Sequence, residues 1–165
     1  MQACSVGSCL LAALSLLLLC LALSTDYWLV AYGPKDTFHS GLWQQCTVGR
    51  VNGYIQATRA FLILAALAAA VCILSLLSSI ISCFQSPVSL SLVASLSAFA
   101  AAGCTLVSMA VFSAESWDKN KDGQIQLTFE WSFYLGWAAL PLLVLSGCLG
   151  PGSAAGPRAA QFRAY

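Results

Sequence analysis

The charged residues of this chain fall in clusters, and the long intervals between the clusters contain none. No Asp, Glu, Lys or Arg precedes Asp26, and none lies between Arg59 and Glu115 or between Glu130 and Arg158. Only 8% of the 165 residues are charged, whereas a soluble domain carries about 25%. The charge-free intervals therefore predict segments immersed in the hydrocarbon of a membrane.

The lengths of these intervals predict four membrane crossings. A helix needs about 20 apolar residues to cross roughly 30 Å of hydrocarbon, so residues 1–25 and 131–157 each accommodate one crossing. As one helix, residues 60–114 would be about 80 Å long at roughly 1.5 Å per residue. This interval is expected to fold back at Gln85-Ser86-Pro87, because proline ends helices and disfavours helix just before itself. We therefore expect an all-α transmembrane four-helix bundle with spans near 5–25, 60–83, 90–113 and 131–150.

Four spans place two loops on one side of the membrane and both chain ends on the other. The loops are residues 26–58 and 114–130, and a short turn at 84–89 joins the middle spans. Residues 151–165 are rich in Gly, Ala and Pro and are expected to form a disordered tail. The positive-inside rule, taken alone, places the loops in the cytoplasm, because more Lys and Arg lie in or beside them than beside the chain ends.

The first interval also has features of a cleaved signal peptide. Leu10 to Leu23 is a leucine-rich core, and Ala22-Leu23-Ser24 resembles a cleavage site. Against cleavage, no Lys or Arg precedes the core, and the apolar stretch is long for a signal sequence. We favour a retained helix; a mature N-terminus at Thr25 would instead leave three spans.

The first loop contains residues typical of β-strands. Residues 27–32 are aromatic and β-branched and end at Gly33-Pro34, a second run covers 40–48, and 51–55 predicts a turn and strand. We expect a small antiparallel sheet from this loop, with edges available to another protein.

The same loop carries a family motif. Trp28, Gly41-Leu42-Trp43 and Cys46 resemble the first-loop signature of the claudin and peripheral myelin protein superfamily, and residues 56–61, which include Arg59, resemble its entry into the second span. The resemblance implies a left-handed four-helix bundle with cytoplasmic termini and an extracytoplasmic loop sheet. This orientation is opposite to the one that the charge count gives.

Longer stretches are similar to one lymphocyte member of this superfamily. That resemblance implies a non-enzymatic protein of the cytolytic granule membrane and the plasma membrane, which supports granule exocytosis and target-cell killing. The alternative is a junctional or adhesive protein that acts through the loop sheet, like the lens and myelin members. The similar stretches are residues 22–28, 39–43, 53–55, 109–112, 124–126, 131–137 and 156–158.

The cysteines depart from the claudin pattern. Claudins carry a second loop cysteine that forms a disulfide with the first, whereas residues 47–58 of this chain contain none. Cys46 is therefore expected to be either a buried thiol or a bridge between two copies of the protein. Cysteines near the expected cytoplasmic ends are candidates for palmitoylation, and those within the spans are expected to be small apolar fillers. The first group is Cys4, Cys9, Cys83 and Cys148, and the second is Cys20, Cys72 and Cys104.

Small residues recur at four-residue spacing within the second and third spans. Small side chains let helix backbones approach closely in lipid. We favour packing within the bundle over a face for dimerisation. The residues are Ala65 and Ala69, Ala66 and Ala70, and Ala94, Ala98 and Ala102.

No motif indicates catalysis or a cofactor. Asp118 to Gly123 copies the start of an EF-hand calcium loop, but Phe129 stands where the loop needs a bidentate Glu, and Glu130 comes one residue late. His39 is the single histidine, and the family motif beside it explains its presence. We therefore expect no metal, no cofactor and no enzymatic activity.

The expected partners follow from composition and charge. A net charge of +1 gives no reason to expect nucleic acid. The partners expected are the lipid bilayer and other membrane proteins, including a second copy of this chain. Arg59 is expected to form an ion pair with Asp26 or Glu130, because all three lie at the loop-side ends of spans.

Overall fold

Four long helices and one small sheet make up the described part of the chain. The structure, a computed structural model, describes residues 2–32, 37–43, 53–81, 88–119, 121 and 126–150. Each of the four helices is long and apolar enough to cross a membrane, so the chain is a multi-pass membrane protein. In chain order the elements are α1 (Gln2–Ser24), β1 (Leu29–Tyr32), β2 (Thr37–Ser40), α2 (Gly53–Ile81), α3 (Val88–Lys119), β3 (Gln126–Phe129) and α4 (Trp131–Leu149).

The helices form a closed ring in which α1 packs against α2 and α4, and α3 packs against the same two neighbours. Each helix turns large apolar side chains outward, as expected for a surface in contact with lipid rather than water. On α1 these side chains recur every three or four residues, which places them on one helix face. They are Leu10, Leu14, Leu17 and Leu21.

The interior of the ring is lined by small residues. Ala65 and Ala69 of α2 are fully buried, and Ala94, Ala98 and Ala102 of α3 are at most 6% exposed. These five residues lie in the packing of the bundle, which is the role we favoured for them, whereas Ala66 and Ala70 remain partly exposed.

Hydroxyl groups form hydrogen bonds between neighbouring helices of the bundle. Ser8 of α1 donates its hydroxyl hydrogen to the Ser146 carbonyl of α4 at 2.7 Å, and the Ser146 hydroxyl donates to the Ser8 carbonyl at 2.9 Å. Between α2 and α3, the Ser108 hydroxyl donates to the Thr58 carbonyl at 3.1 Å. Such bonds are favourable in lipid because no water competes for the same groups.

The sheet draws on both loops. Its order is β2-β1-β3, with both pairs antiparallel, and Leu29 of β1 lies opposite Ser40 of β2 and Phe129 of β3. We expected a sheet formed by residues 26–58 alone. The third strand instead comes from the second loop.

The prediction of a turn and strand over residues 51–55 is wrong for the residues described, because Gly53 begins α2. Ile55 and Thr58 are buried on the inner face of that helix, so tertiary packing overrides the strand propensity of the segment. The second strand lies earlier than expected, at Thr37–Ser40, and residues 44–52 lie outside the described part.

Helices α2 and α3 extend beyond the two ends of the charge-free interval 60–114. Helix α2 begins at Gly53 and α3 ends at Lys119, whereas the expected spans began at 60 and ended at 113. Helices continue beyond the hydrocarbon into water, where charged side chains are tolerated. Most of the turn at 84–89 and the tail at 151–165 lie outside the described residues.

Candidate functional site

The loop-side end of α1 is closed by residues of the first loop. The last carbonyl groups of a helix have no partner within the helix, and an unsatisfied carbonyl near lipid is costly. Here the indole N–H of Trp28 donates to the Ala22 carbonyl at 2.7 Å, and that of Trp43 donates to the Leu23 carbonyl at 2.6 Å. The Thr25 hydroxyl donates to the Leu21 carbonyl at 2.7 Å. Both tryptophans of the motif therefore cap the first helix.

Trp28 also joins the sheet to the bundle. Its side chain is fully buried, and its ring packs edge-on against Phe112 of α3, with centroids 4.9 Å apart, and against Phe133 of α4 at 6.3 Å. Its backbone N–H donates to the Ser40 carbonyl, and its own carbonyl accepts from the N–H of Glu130. One residue thus contacts α1, α3, α4 and the strands on both sides.

Gly41 and Leu42 hold the loop close to the end of α1. A Cβ atom at Gly41 would overlap the Cα and side chain of Asp26, so no other residue fits there without displacing the backbone. The Leu42 side chain is fully buried in the core. The Gly-Leu-Trp sequence therefore combines a close approach, a buried anchor and a helix cap.

Arg59 does not form the expected ion pair. No carboxylate in the described part of the chain lies within 4.0 Å of its guanidinium group, and the prediction of a pair with Asp26 or Glu130 is wrong. Its central carbon instead lies 4.8 Å from the centroid of the Trp43 ring. Arg59 still links α2 to the loop, but through a cation–π contact.

Glu130 has a different partner, which its sequence position did not predict. One carboxylate oxygen lies 3.2 Å from Nδ1 of His39, and this contact joins β2 to the start of α4. The Tyr27 ring packs edge-on against His39 at 5.2 Å and stacks on Trp131 at 5.7 Å. In the sequence, aromatic residues lie next to the ends of the expected spans. This pattern indicated a membrane boundary, but it did not predict these contacts.

The described cysteines differ in how much they are exposed. Among the palmitoylation candidates, Cys4 and Cys148 are exposed and Cys9 is partly exposed, while Cys83, like Cys46, lies outside the described residues. Cys72 is buried as a filler would be, but Cys20 is exposed on the outer face of α1. The expectation that Cys20 fills a gap in the bundle is therefore wrong.

The polar residues near the second loop do not gather into a ligand set in the described ranges. Within those ranges no three His, Cys, Asp or Glu side chains lie close enough to share a metal ion. Lys121 forms an exposed ion pair with Asp118 at 3.2 Å. Residues 120 and 122–125 of this region lie outside the described part of the chain.

Comparison with known proteins identifies relatives over most of the chain. The family model for the PMP-22/EMP/MP20/Claudin family matches residues 2–150. The chain is 42% identical to Protein NKG7 of Homo sapiens over 162 residues, which cover 96% of each chain, and 41% identical to Protein NKG7 of Mus musculus, with 86% of each covered. It is also 32% identical to Claudin domain-containing protein 2 of Mus musculus over 86% of this chain and 81% of the relative.

Proposed function

Because the chain belongs to the PMP-22/EMP/MP20/Claudin family, we propose that it is a non-enzymatic tetraspan protein of cytotoxic granule and plasma membranes. Its role would be to support granule exocytosis, and hence target-cell killing, in lymphocytes. The observation that carries this proposal is the similarity to Protein NKG7 over nearly the whole chain, including both loops and all four helices. A match confined to the helices would reflect little more than a shared need for apolar residues.

The proposed orientation places both chain ends in the cytoplasm and the sheet in the granule lumen or outside the cell. This orientation follows the family rather than the charge count. The number of cations on each side is small, and acidic residues are interleaved with them in both loops, so charge alone is a weak determinant here.

Cytotoxic lymphocytes lacking this protein provide the test. The intact chain, tagged at one end and expressed at its natural level, is expected to overlap with a granule membrane marker and to restore release of granule contents on target contact. A matched rescue uses Trp28→Ala, which removes the buried connection between sheet and bundle. Full-length protein that stays out of granules and restores no release would contradict the proposal.

A junctional or adhesive role is the second candidate, and the sheet supports it. In the order β2-β1-β3, one edge of each outer strand faces away from the described sheet, and an open strand edge is able to pair with another chain. Enrichment at cell–cell contacts, with adhesion that depends on residues 37–40, would favour this role over the granule role.

A further inference from the structure

Arg59 carries donors for which the described residues provide no acceptor. Its Nε is buried and has no hydrogen-bond partner among the described residues, and its guanidinium face rests on the Trp43 ring. A cation–π contact satisfies the charge in part, but it accepts none of the five N–H donors of arginine. A buried charged donor without an acceptor is costly. Nε itself is out of reach of solvent, but the Arg59 side chain as a whole is only partly buried, so an anion from outside the chain would bind its terminal nitrogens.

The level of Arg59 along its helix identifies where that acceptor comes from. Arg59 is the last charged residue before the interval 60–114, so it lies at the edge of the hydrocarbon. Trp117 of α3 and Trp131 of α4, which are 65% and 49% exposed, lie at the loop-side ends of their helices. Exposed tryptophans mark the headgroup region of a bilayer, and lipid phosphates lie at that level.

The geometry points to a phospholipid-binding site in the loop-side leaflet, in which the Arg59 guanidinium binds the phosphate of the headgroup and Trp43 forms the floor. The planar fork of arginine matches two phosphate oxygens. Trp43 holds that plane in place, because its own N–H is bound to the Leu23 carbonyl. Its ring is 54% exposed, which leaves apolar surface for the glycerol and acyl carbons beside the phosphate.

An acceptor within the chain is the competing explanation. Oδ1 of Asp26 is also buried without a partner among the described residues, which makes Asp26 the candidate for such an acceptor. The two explanations make opposite predictions for Asp26→Asn. Neutralising Asp26 leaves a phospholipid site intact, whereas it removes the negative charge on which an internal ion pair with Arg59 depends.

Thermal unfolding of the full-length protein in detergent tests the site with three additives. These are phosphatidylglycerol, diacylglycerol with the same acyl chains, and inorganic phosphate. Phosphatidylglycerol is expected to raise the unfolding midpoint of the wild-type protein with a saturable dependence, and the other two are expected to leave it unchanged. A rise with inorganic phosphate alone would indicate a general anion site, and a rise with diacylglycerol an acyl groove; either result overturns the proposal.

Matched variants assign the effect to the two residues. Arg59→Gln and Trp43→Leu are each expected to weaken the apparent phosphatidylglycerol affinity by about tenfold or more, because a hydrogen-bonded charge or its support is lost. Arg158→Gln removes the same charge elsewhere in the chain and, with Asp26→Asn, is expected to keep the wild-type response. An unchanged response in Arg59→Gln, or an equal loss in Asp26→Asn, would contradict the proposal.

A crosslinking measurement on the wild-type chain covers variants that fail to fold. A phospholipid with a photoreactive headgroup is expected to label the segments that contain Trp43 and Arg59, and excess unlabelled phosphatidylglycerol is expected to compete. Labelling confined to other segments would overturn the assignment.

Discussion

At Gly41 the chain has no space for a side chain, and the reason is a contact rather than a special backbone angle. The loop passes over the backbone of Asp26 at the end of α1, and this approach lets Leu42 enter the core and Trp43 cap the helix. These contacts explain why three consecutive positions of one motif have such different side chains.

Gly41→Ala is expected to lower the free energy of unfolding by about 2 kcal/mol or more, because the added methyl group forces the loop away from α1. Gly103→Ala is the matched control, since a Cβ at Gly103 meets nothing within 4 Å. That change is expected to be neutral or to stabilise helix α3 by up to about 1 kcal/mol. Equilibrium unfolding in mixed micelles measures both, and equal effects would contradict the explanation.

Trp28→Phe separates the hydrogen bond of Trp28 from its packing. The phenyl ring retains contact with Phe112, but the Ala22 carbonyl loses its donor, which is expected to cost about 1–3 kcal/mol. Trp117→Phe, at a position that is 65% exposed, serves as the control and is expected to change stability by less than about 0.5 kcal/mol. A Trp28→Phe variant as stable as the control would show that the cap is unimportant.

Acylation is expected at the chain-end cysteines Cys4 and Cys148 rather than at Cys20, which is also exposed. Cys4 and Cys148 lie at the end of the bundle where the termini are, and juxtamembrane cysteines on the cytoplasmic side are substrates for palmitoylation. Acyl exchange on the protein from cells is expected to lose signal in the double variant Cys4→Ser/Cys148→Ser and to keep it in Cys20→Ser. Undiminished signal in the double variant would contradict this assignment.

At the scale of elements, the helices were more predictable than the sheet. Charge-free intervals and one proline indicated four crossings, because lipid excludes ionised side chains whatever the tertiary structure. The pairing of β1 with β3 joins residues 29–32 to 126–129, and no local pattern specifies such a distant partner. The start of α2 was misjudged for a related reason, since burial of Ile55 against the bundle decides it.

The candidate site was predictable in its residues but not in its contacts. The motif indicated Trp28, Trp43 and Arg59, but charge proximity suggested an ion pair where the structure has a cation–π contact. Two opposite charges at the ends of neighbouring helices need not lie within the distance of an ion pair. The direction in which each side chain leaves its helix decides which pair forms.

The contact between α1 and α4 depends on the reciprocal hydrogen bonds of Ser8 and Ser146. Ser8→Ala, Ser146→Ala and the double variant form a mutant cycle with an expected coupling of about 0.5–1.5 kcal/mol. Ser113→Ala is the control, because the Ser113 hydroxyl donates within its own helix to the Met109 carbonyl. Coupling between Ser8 and Ser113 as large as that between Ser8 and Ser146 would contradict the prediction.

At the scale of the whole molecule, four crossings and one sheet determine which segments share a side. Both loops contribute strands to the same sheet, so they lie on one face of the membrane, and the chain ends lie on the other. This constraint is independent of any charge rule.

Tags at the two chain ends are therefore expected to respond alike to an impermeant protease or antibody. A tag inserted in the first loop, within residues 44–52, is expected to respond in the opposite way. In intact cells the end tags are expected to be protected, and they should become accessible only after the plasma membrane is permeabilised. End tags that differ from each other would indicate an odd number of crossings, and loss of the N-terminal tag from the mature protein would indicate cleavage of the first helix.

The central position of β1 has a consequence for biogenesis. While the ribosome is still synthesising α3, the strand that will cover one edge of β1 does not yet exist, and the Trp28 indole lacks its contact with Phe133. The sheet on the loop side of the bundle is therefore completed only after the third helix has been synthesised. A nascent chain interrupted before residue 126 would expose a bare strand edge and an uncovered aromatic ring to the quality-control machinery.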